Sequence, residues 1–200
     1  MATDFTYSPE HVKIARSKRH MLWFSIISLC MTFAGLTSAF IVSSKRRDWL
    51  NDFQMPDEFL YSTIILLLSS IVLWVGQKAV ATGNNKKAAI LTVIAFILGA
   101  IFVYLQFDGF ARIADMGYFF TGGQSNITTT FVMLIAAVHL LHIAAALIVL
   151  LVITVRTLQG KYTPAKWLGY ELGATFWHFV DVLWILLFVF MWVFFYFQTA

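Results

Sequence analysis

Cysteine and charged residues are scarce in this chain of 200 residues, and each scarcity excludes a class of protein. The single cysteine, Cys30, can form no intrachain disulfide, and it argues against a metal site built from cysteine thiolates. Only 12% of the residues are charged, whereas 60% are hydrophobic, and the mean hydropathy is +0.79. A soluble domain has a far more polar composition. The sequence therefore predicts an integral membrane protein without a sizeable soluble domain.

Basic residues are also too few and too dispersed to indicate binding to nucleic acid. The formal net charge is +4, and no stretch forms a basic patch of the kind that contacts phosphate backbones. Basic residues that lie between apolar runs are better explained by the loops of a membrane protein. We expect no RNA or DNA partner.

Five apolar runs, separated by polar breaks, are long enough to cross a membrane as helices. One crossing of the roughly 30 Å hydrocarbon layer needs about 20 mostly apolar residues. Every break contains glycine, proline, asparagine or charge, which end helices. The prediction is an all-α fold, a bundle of five transmembrane helices in a single domain over residues 1–200. The spans are expected near residues 22–43, 60–80, 88–107, 127–155 and 172–197.

Lysine and arginine are unequally distributed between the two sides of this bundle. Ten of them lie on the side that carries the N-terminus and the second and fourth breaks, and four lie on the other side. Three of those four are the consecutive residues Lys45, Arg46 and Arg47. Cytoplasmic loops carry the excess of basic residues in membrane proteins. The distribution predicts a cytoplasmic N-terminus and a C-terminus outside.

Ionisable residues lie inside two of the predicted spans. Glu171, His178 and Asp181 share one side of the last helix because they are seven and three residues apart. Asp181 is near the middle of its span, where a lipid-facing carboxylate costs about 2.5–3.5 kcal/mol, so it needs a protein partner or water. His139 and His142 lie at the centre of the fourth span, which is the expected depth of Asp181. Our hypothesis is that Asp181 pairs with one of these two histidines.

The residues alone leave four interpretations of this cluster open. It could be a structural hydrogen-bond network, since isolated polar groups in a bundle must be satisfied. Histidine and acidic residues are also the usual groups of proton relays. Metal or haem binding and substrate transport are the other two interpretations. A di-iron bundle would need Glu-x-x-His on two helices, and the sequence lacks that pattern.

The last span carries a resemblance to a known family. The stretch "GYELGATFWHFVDVLWILLF" resembles the Glu and Trp-His-Phe-Val-Asp-Val-x-Trp signature of subunit III of the haem-copper oxidases. Upstream, "AAVHLLHIAAA" is similar to the His-Gly-Leu-His segment of the family, with Leu140 in place of the glycine. The resemblance covers about residues 20–197, and Leu29 stands where the family commonly has a membrane glutamate. The ionisable positions that match the family are Glu171, His178, Asp181, His139 and His142.

The resemblance implies an accessory subunit of a terminal oxidase in aerobic respiration, with the five helices of bacterial members. It implies no catalytic residue, cofactor or metal in this chain, because haem and copper belong to partner subunits I and II. It further implies bound phospholipid, support of proton uptake and of the stability of the catalytic subunit, and a bacterial plasma membrane. A small subunit IV and a respiratory supercomplex are further candidate partners. The electron donor, cytochrome c or a quinol, stays open.

The number of histidines agrees with an accessory role. A catalytic oxidase subunit needs several membrane histidines for two haems and a copper ion. Only three histidines lie in predicted spans here, because His11 and His20 precede the first. The alternative from another functional class is a small transporter or channel subunit that uses the intramembrane polar residues as a pathway.

Overall fold

Five long helices make up nearly all of the computed structural model, which describes residues 9–50, 53, 55–120, 125–163 and 167–199. All five are long and apolar enough to cross a membrane. The predicted all-α class and the five spans are therefore confirmed. The helices are α1 (Pro9–Ser43), α2 (Glu58–Ala81), α3 (Asn85–Asp115), α4 (Ile127–Leu158) and α5 (Leu168–Thr199).

The helices extend beyond the spans that the apolar runs predict. Helix α1 has 35 residues, which makes it about 52 Å long at 1.5 Å per residue. Since the hydrocarbon layer is roughly 30 Å thick, its N-terminal turns continue into the polar interface. Helix α3 likewise continues from the predicted end at residue 107 to Asp115. Hydropathy locates the apolar part of a helix, whereas backbone hydrogen bonding continues into polar sequence.

Asparagine and glycine set several helix ends. The side chains of Asn84 and Asn126 accept hydrogen bonds from the first turns of α3 and α4, as N-cap residues do. Gly83, Gly117 and Gly160 follow α2, α3 and α4 with φ of 79°, 87° and 65°. This left-handed conformation ends a helix and is accessible to glycine at no steric cost.

Helices α2 to α5 form a closed ring, and α1 leans against one side of it. Helix α2 packs against α3 and α5, α4 packs against α3 and α5, and α1 contacts α4 and α5. Large side chains fill the centre of the ring, among them Trp177 and Trp184 of α5 and Phe102 of α3, all fully buried. Much of α1 stays exposed, including Met21, Phe24 and Met31.

Polar contacts at both ends of the bundle fix which helix ends lie together. Arg19 of α1 pairs with Glu171 at the start of α5, at 3.0 Å. At the opposite end Trp49 Nε1 donates to Gln198 Oε1 at 3.2 Å, and Leu50 N donates to Thr128 Oγ1 at 2.8 Å. These contacts show that α1 and α5 run in the same direction, as five successive crossings require.

Two ion pairs also occur at this second end of the bundle. Arg46 pairs with Asp48 at 3.0 Å and Arg112 with Glu58 at 2.9 Å. The hydrogen bond from Arg46 and its charge lower the pKa of the Asp48 carboxyl group below its ordinary value. Two of the four basic residues on this side are therefore paired with acids.

A glycine permits the closest approach of α3 to the centre of the ring. A Cβ atom on Gly99 would lie 2.5 Å from Trp177 Cη2 and 3.0 Å from Leu147 Cδ2. Trp177 is buried and cannot move aside without repacking its neighbours. The absence of a side chain at Gly99 therefore allows α3, α4 and α5 to pack together.

We predict that Gly99→Ala destabilises the purified chain in detergent by about 1–3 kcal/mol, since overpacking a dense core costs this much. The thermal unfolding midpoint measures the effect. Gly35→Ala is the matched control, because nothing lies within 4 Å of a Cβ at Gly35 of α1. Equal midpoints for the two variants would contradict the close approach at Gly99.

Candidate intramembrane polar site

A polar contact between α2 and α5 occupies the interior of the bundle. Ser70 Oγ lies 2.6 Å from His178 Nδ1, and either group can donate the shared proton. The second ring nitrogen of His178 is buried without a partner among the described residues. His178 is itself half-buried, so the hydroxyl of α2 satisfies one side of an imidazole in an apolar environment.

Asp181 is the most buried ionisable residue of the last helix, with 1% of its surface exposed. The Ser70 hydroxyl lies close to its carboxyl group. Neither oxygen of Asp181, however, meets a group with the geometry of a hydrogen bond in the part of the chain that the structure describes. Ser70 therefore lies between His178 and Asp181, and the three side chains form one cluster that we call the Ser70 cluster.

Trp184 joins α5 to two other helices one turn further along. Its Nε1 donates to Thr63 Oγ1 of α2 at 3.0 Å, while the Thr63 hydroxyl donates to Phe59 O at 2.7 Å. The indole also stacks on the ring of His139 of α4, with centroids 4.9 Å apart and an interplanar angle of 29°. Three helices are thus held together by one fully buried tryptophan.

His139 lies in an aromatic enclosure. Its ring is stacked on Trp184, and the rings of Phe33 and Phe102 meet it edge-on at 6.1 Å and 6.3 Å. Both ring nitrogens are buried and have no hydrogen-bond partner among the described residues. His139 therefore acts as a packed aromatic ring rather than as a member of the Ser70 cluster.

His142 lies on the side of α4 that faces α1. Its Nδ1 is 2.7 Å from the carbonyl oxygen of Val138, one turn earlier on the same helix. Its ring contacts Phe33 of α1 with centroids 5.8 Å apart. A backbone carbonyl only accepts hydrogen bonds, so Nδ1 carries the proton.

The predicted pairing of Asp181 with His139 or His142 is wrong. The two oxygens of Asp181 are not hydrogen-bonded to either histidine. The physical reason is that Asp181 lies beside α2, where Ser70 is, whereas His139 packs on Trp184 and His142 faces α1. The polar surface of α5 is turned to α2 instead of α4.

The polar stripe predicted on α5 is also divided between two neighbours. Glu171 is at the end of the helix, where both of its oxygens accept from Arg19 Nη2 at 3.0 Å and 3.1 Å. His178 and Asp181 lie deeper and adjoin Ser70 of α2. The five predicted positions thus fall into three separate groups, which are Glu171, the pair of His178 and Asp181, and the pair of His139 and His142 beside Phe33.

Several uncharged polar residues of α2 and α3 also belong to the site, and the positions of the charged residues in the sequence do not predict them. Ser62 Oγ accepts from Gln106 Nε2 at 2.8 Å, and Ser69 Oγ donates to Ala95 O at 3.0 Å. A sequence signal does exist: the pairs Ser62–Thr63 and Ser69–Ser70 are seven residues apart, which places them on one face of α2. Small polar residues of this kind hold membrane helices together.

This arrangement can exchange protons, but it does not form a metal site. No group of three or more His, Cys, Asp or Glu side chains that could hold a metal ion occurs within the described ranges. The Ser70 cluster contains a carboxyl group, an imidazole and a hydroxyl, each of which can bind or release a proton or pass it on. Together these observations define a five-helix membrane protein with an internal polar cluster.

The sequence comparisons define the family. The family described as "Cytochrome c oxidase subunit III" matches residues 1–197, and the chain belongs to this family. Members of the family carry no redox centre of their own, and a subunit III implies a complex with other oxidase subunits. The resemblance seen in the last two spans is thereby confirmed.

Several relatives are named "Cytochrome c oxidase subunit 3". The protein of Papio hamadryas is 29% identical over 93% of this chain and 73% of its own length. That of Spodoptera frugiperda is 32% identical over 70% of this chain and 88% of its own length. That of Heterololigo bleekeri is 32% identical over 70% of this chain, but the match spans only 50% of that protein. The comparisons give no support to a transporter or channel.

We predict that Thr63→Val destabilises the chain by about 1–2 kcal/mol, because it leaves the buried Trp184 N–H without an acceptor. Thermal unfolding in detergent is the measurement. Thr37→Val is the matched control, since the Thr37 hydroxyl also donates to the backbone one turn earlier, at Phe33 O. A Thr63→Val midpoint no lower than that of Thr37→Val would show that the bond to Trp184 contributes nothing.

Proposed function

We propose that this chain is the subunit III of a haem-copper oxidase in a bacterial plasma membrane, where it packs beside subunit I in a complex that also contains subunit II. The observation that carries the proposal is the family match over residues 1–197. The redox reaction takes place in the partner subunits. A small subunit IV and a supercomplex are further candidate partners.

The proposed orientation has the N-terminus in the cytoplasm and the C-terminus outside. Ten of fourteen lysines and arginines lie on the N-terminal side, and basic residues favour the cytoplasmic side. The contact between Arg19 and Glu171 then marks the cytoplasmic end of the bundle. The contact between Trp49 and Gln198 marks the outer end.

The exposed face of α1 is the proposed contact surface for the catalytic subunit. Ala34, Gly35, Ser38 and Ala39 are all exposed on this helix, and nothing lies within 4 Å of a Cβ at Gly35. Small residues in membrane helices allow the close approach of another helix. A partner helix on this face would bury the least covered helix of the bundle.

Phospholipid is the proposed occupant of a groove at the outer end, between α1 and α5. The groove has a volume of about 530 Å³. Lys45 follows the end of α1 and supplies a cation for a phosphate group, and the amide nitrogen of Gln198 can donate to it. The remaining wall is apolar and suits acyl chains; the residues that line the groove are Ser44, Lys45, Val189, Phe190, Val193, Phe194, Phe197 and Gln198.

We predict that tagged chain isolated from its native membranes carries a haem-containing subunit with it, and that Gly35→Leu lowers this yield about tenfold. Overpacking a close helix contact costs about 1–3 kcal/mol, and about 1.4 kcal/mol corresponds to a factor of ten. The haem absorbance per tagged chain is the measurement. Absence of haem from the wild-type sample would overturn the proposed function, whereas a normal yield with Gly35→Leu would exclude only this face of α1.

The Ser70 cluster is proposed to support proton uptake by the catalytic subunit. Ser70 adjoins both ionisable groups, and Asp181 is more deeply buried than Glu171 at the cytoplasmic end. Histidine and acidic residues placed at such a depth are typical of proton relays. The family resemblance implies the same role.

We predict that Asp181→Asn, which preserves the size of the side chain, lets the oxidase assemble but slows proton uptake several-fold. Ser70→Ala should have the same effect, since it removes the hydroxyl between the two ionisable groups. Ser69→Ala is the control, because its hydroxyl bonds to Ala95 O instead. Proton uptake is followed with a pH indicator during turnover. Unassembled Asp181→Asn oxidase would indicate a structural role, and normal uptake would exclude a relay.

A further inference from the structure

A second cleft opens between α1 and α4, apart from the Ser70 cluster. It has a volume of about 390 Å³, which is within the range of small-molecule sites. The cleft contains three hydroxyl groups and one imidazole beside an apolar wall. The residues that line it are Phe24, Ser25, Ser28, Leu29, Thr32 and His142.

Two of the hydroxyl groups in this cleft can only accept a hydrogen bond from a ligand. Ser25 Oγ donates to Met21 O at 3.0 Å, and Thr32 Oγ1 donates to Ser28 O at 3.0 Å. A hydroxyl group has one proton and two lone pairs. Each of these two hydroxyl groups already donates its proton to a backbone carbonyl oxygen. Only the lone pairs of these two oxygens are therefore available to a ligand in the cleft.

His142 presents a lone pair as well. Because Nδ1 donates to Val138 O at 2.7 Å, the neutral imidazole has no proton on Nε2. Leu29 contributes only apolar surface to the cleft. Three acceptors thus converge on a space in which Ser28 alone of the lining residues retains a proton to donate.

The depth of the cleft restricts its occupant further. Thr32 is about 20 Å along α1 from Arg19, which meets Glu171 at the end of the bundle. His142 is in the middle of α4, which runs from Ile127 to Leu158. Phosphate and ammonium headgroups stay at the interface because they carry charge. A molecule that reaches these acceptors therefore has to be neutral and soluble in the membrane.

We propose that this cleft binds a neutral, membrane-dissolved molecule through a hydroxyl group that donates its one proton to Thr32 Oγ1, with His142 Nε2 and Ser25 Oγ as the neighbouring acceptors. The chemistry required is an O–H donor on an apolar body. An isoprenoid quinol and a lipid alcohol both provide it, whereas a quinone or an ester lacks the donor. No redox step is assigned to the cleft, and the proposal does not depend on membership of an oxidase.

Photolabelling in native membranes tests the proposal. Two photoreactive probes are used, a quinol kept reduced under anaerobic conditions and a long-chain alcohol, each beside its O-methylated counterpart. We expect at least one O–H probe to label the α1 or α4 residues of the cleft, competed by its unlabelled form, and its O-methylated counterpart to label them about fivefold less. That factor corresponds to one hydrogen bond of about 1 kcal/mol. The probe that labels identifies the source of the ligand.

Thr32→Val provides a second test with a matched control. It removes an acceptor at nearly constant volume, and we expect about fivefold weaker labelling. Thr37→Val removes a similar hydroxyl of α1 that does not line the cleft, and it should leave labelling unchanged. Equal labelling by the O–H and O-methylated probes, no labelling by either, or equal loss in both variants would overturn the proposal.

Discussion

Polar groups within the hydrocarbon layer depend on partners inside the protein, and most of the hydroxyl groups in the interior of this bundle meet that requirement, whereas His139 and Asp181 do not meet it among the described residues. Water is absent there, so an unsatisfied donor or acceptor costs several kcal/mol. Some hydroxyl groups are satisfied within their own helix, where they donate to backbone carbonyl oxygens, as in Thr63, Thr92 and Thr154. The side chains of Ser69 and Gln106 instead donate hydrogen bonds to the neighbouring helix, and these bonds hold α2 and α3 together. Polar residues that look isolated in the sequence thus become links between helices.

Aromatic side chains add a second kind of contact between the helices. Trp184 combines both kinds of contact, because its N–H group bonds to α2 while its ring stacks on His139 of α4. Phe40 packs the C-terminal half of α1 through ring contacts alone, with its centroid 5.0 Å from that of Trp49 and 4.9 Å from that of Phe194. Edge-to-face contacts of this kind stabilise beyond the area they bury. The ring of four helices is consequently tighter than the attachment of α1.

Sequence patterns predict the helices of this chain well, but they predict the contacts of its polar residues poorly. Apolar length suffices for five spans, since crossing the membrane is a local requirement. The partner of Asp181 depends on the rotation of α5 relative to α2 and α4, and rotation follows from packing at positions such as Gly99 and Trp177. Ser70 is uncharged, so the pattern of ionisable residues does not indicate that it lies beside Asp181. The seven-residue spacing of hydroxyl residues on α2 was the available signal.

Helix α1 pairs with α5 at Arg19 and contacts α4 at Phe33, and the cleft beside His142 opens along the stretch between these two contacts. The opening lies within the membrane-spanning part of α1, away from both ends of that helix. A molecule therefore reaches it by lateral diffusion in the bilayer, after partitioning out of water. The concentration that governs its occupancy is a mole fraction in the membrane, so apolar compounds that are scarce in the surrounding solution can still fill it.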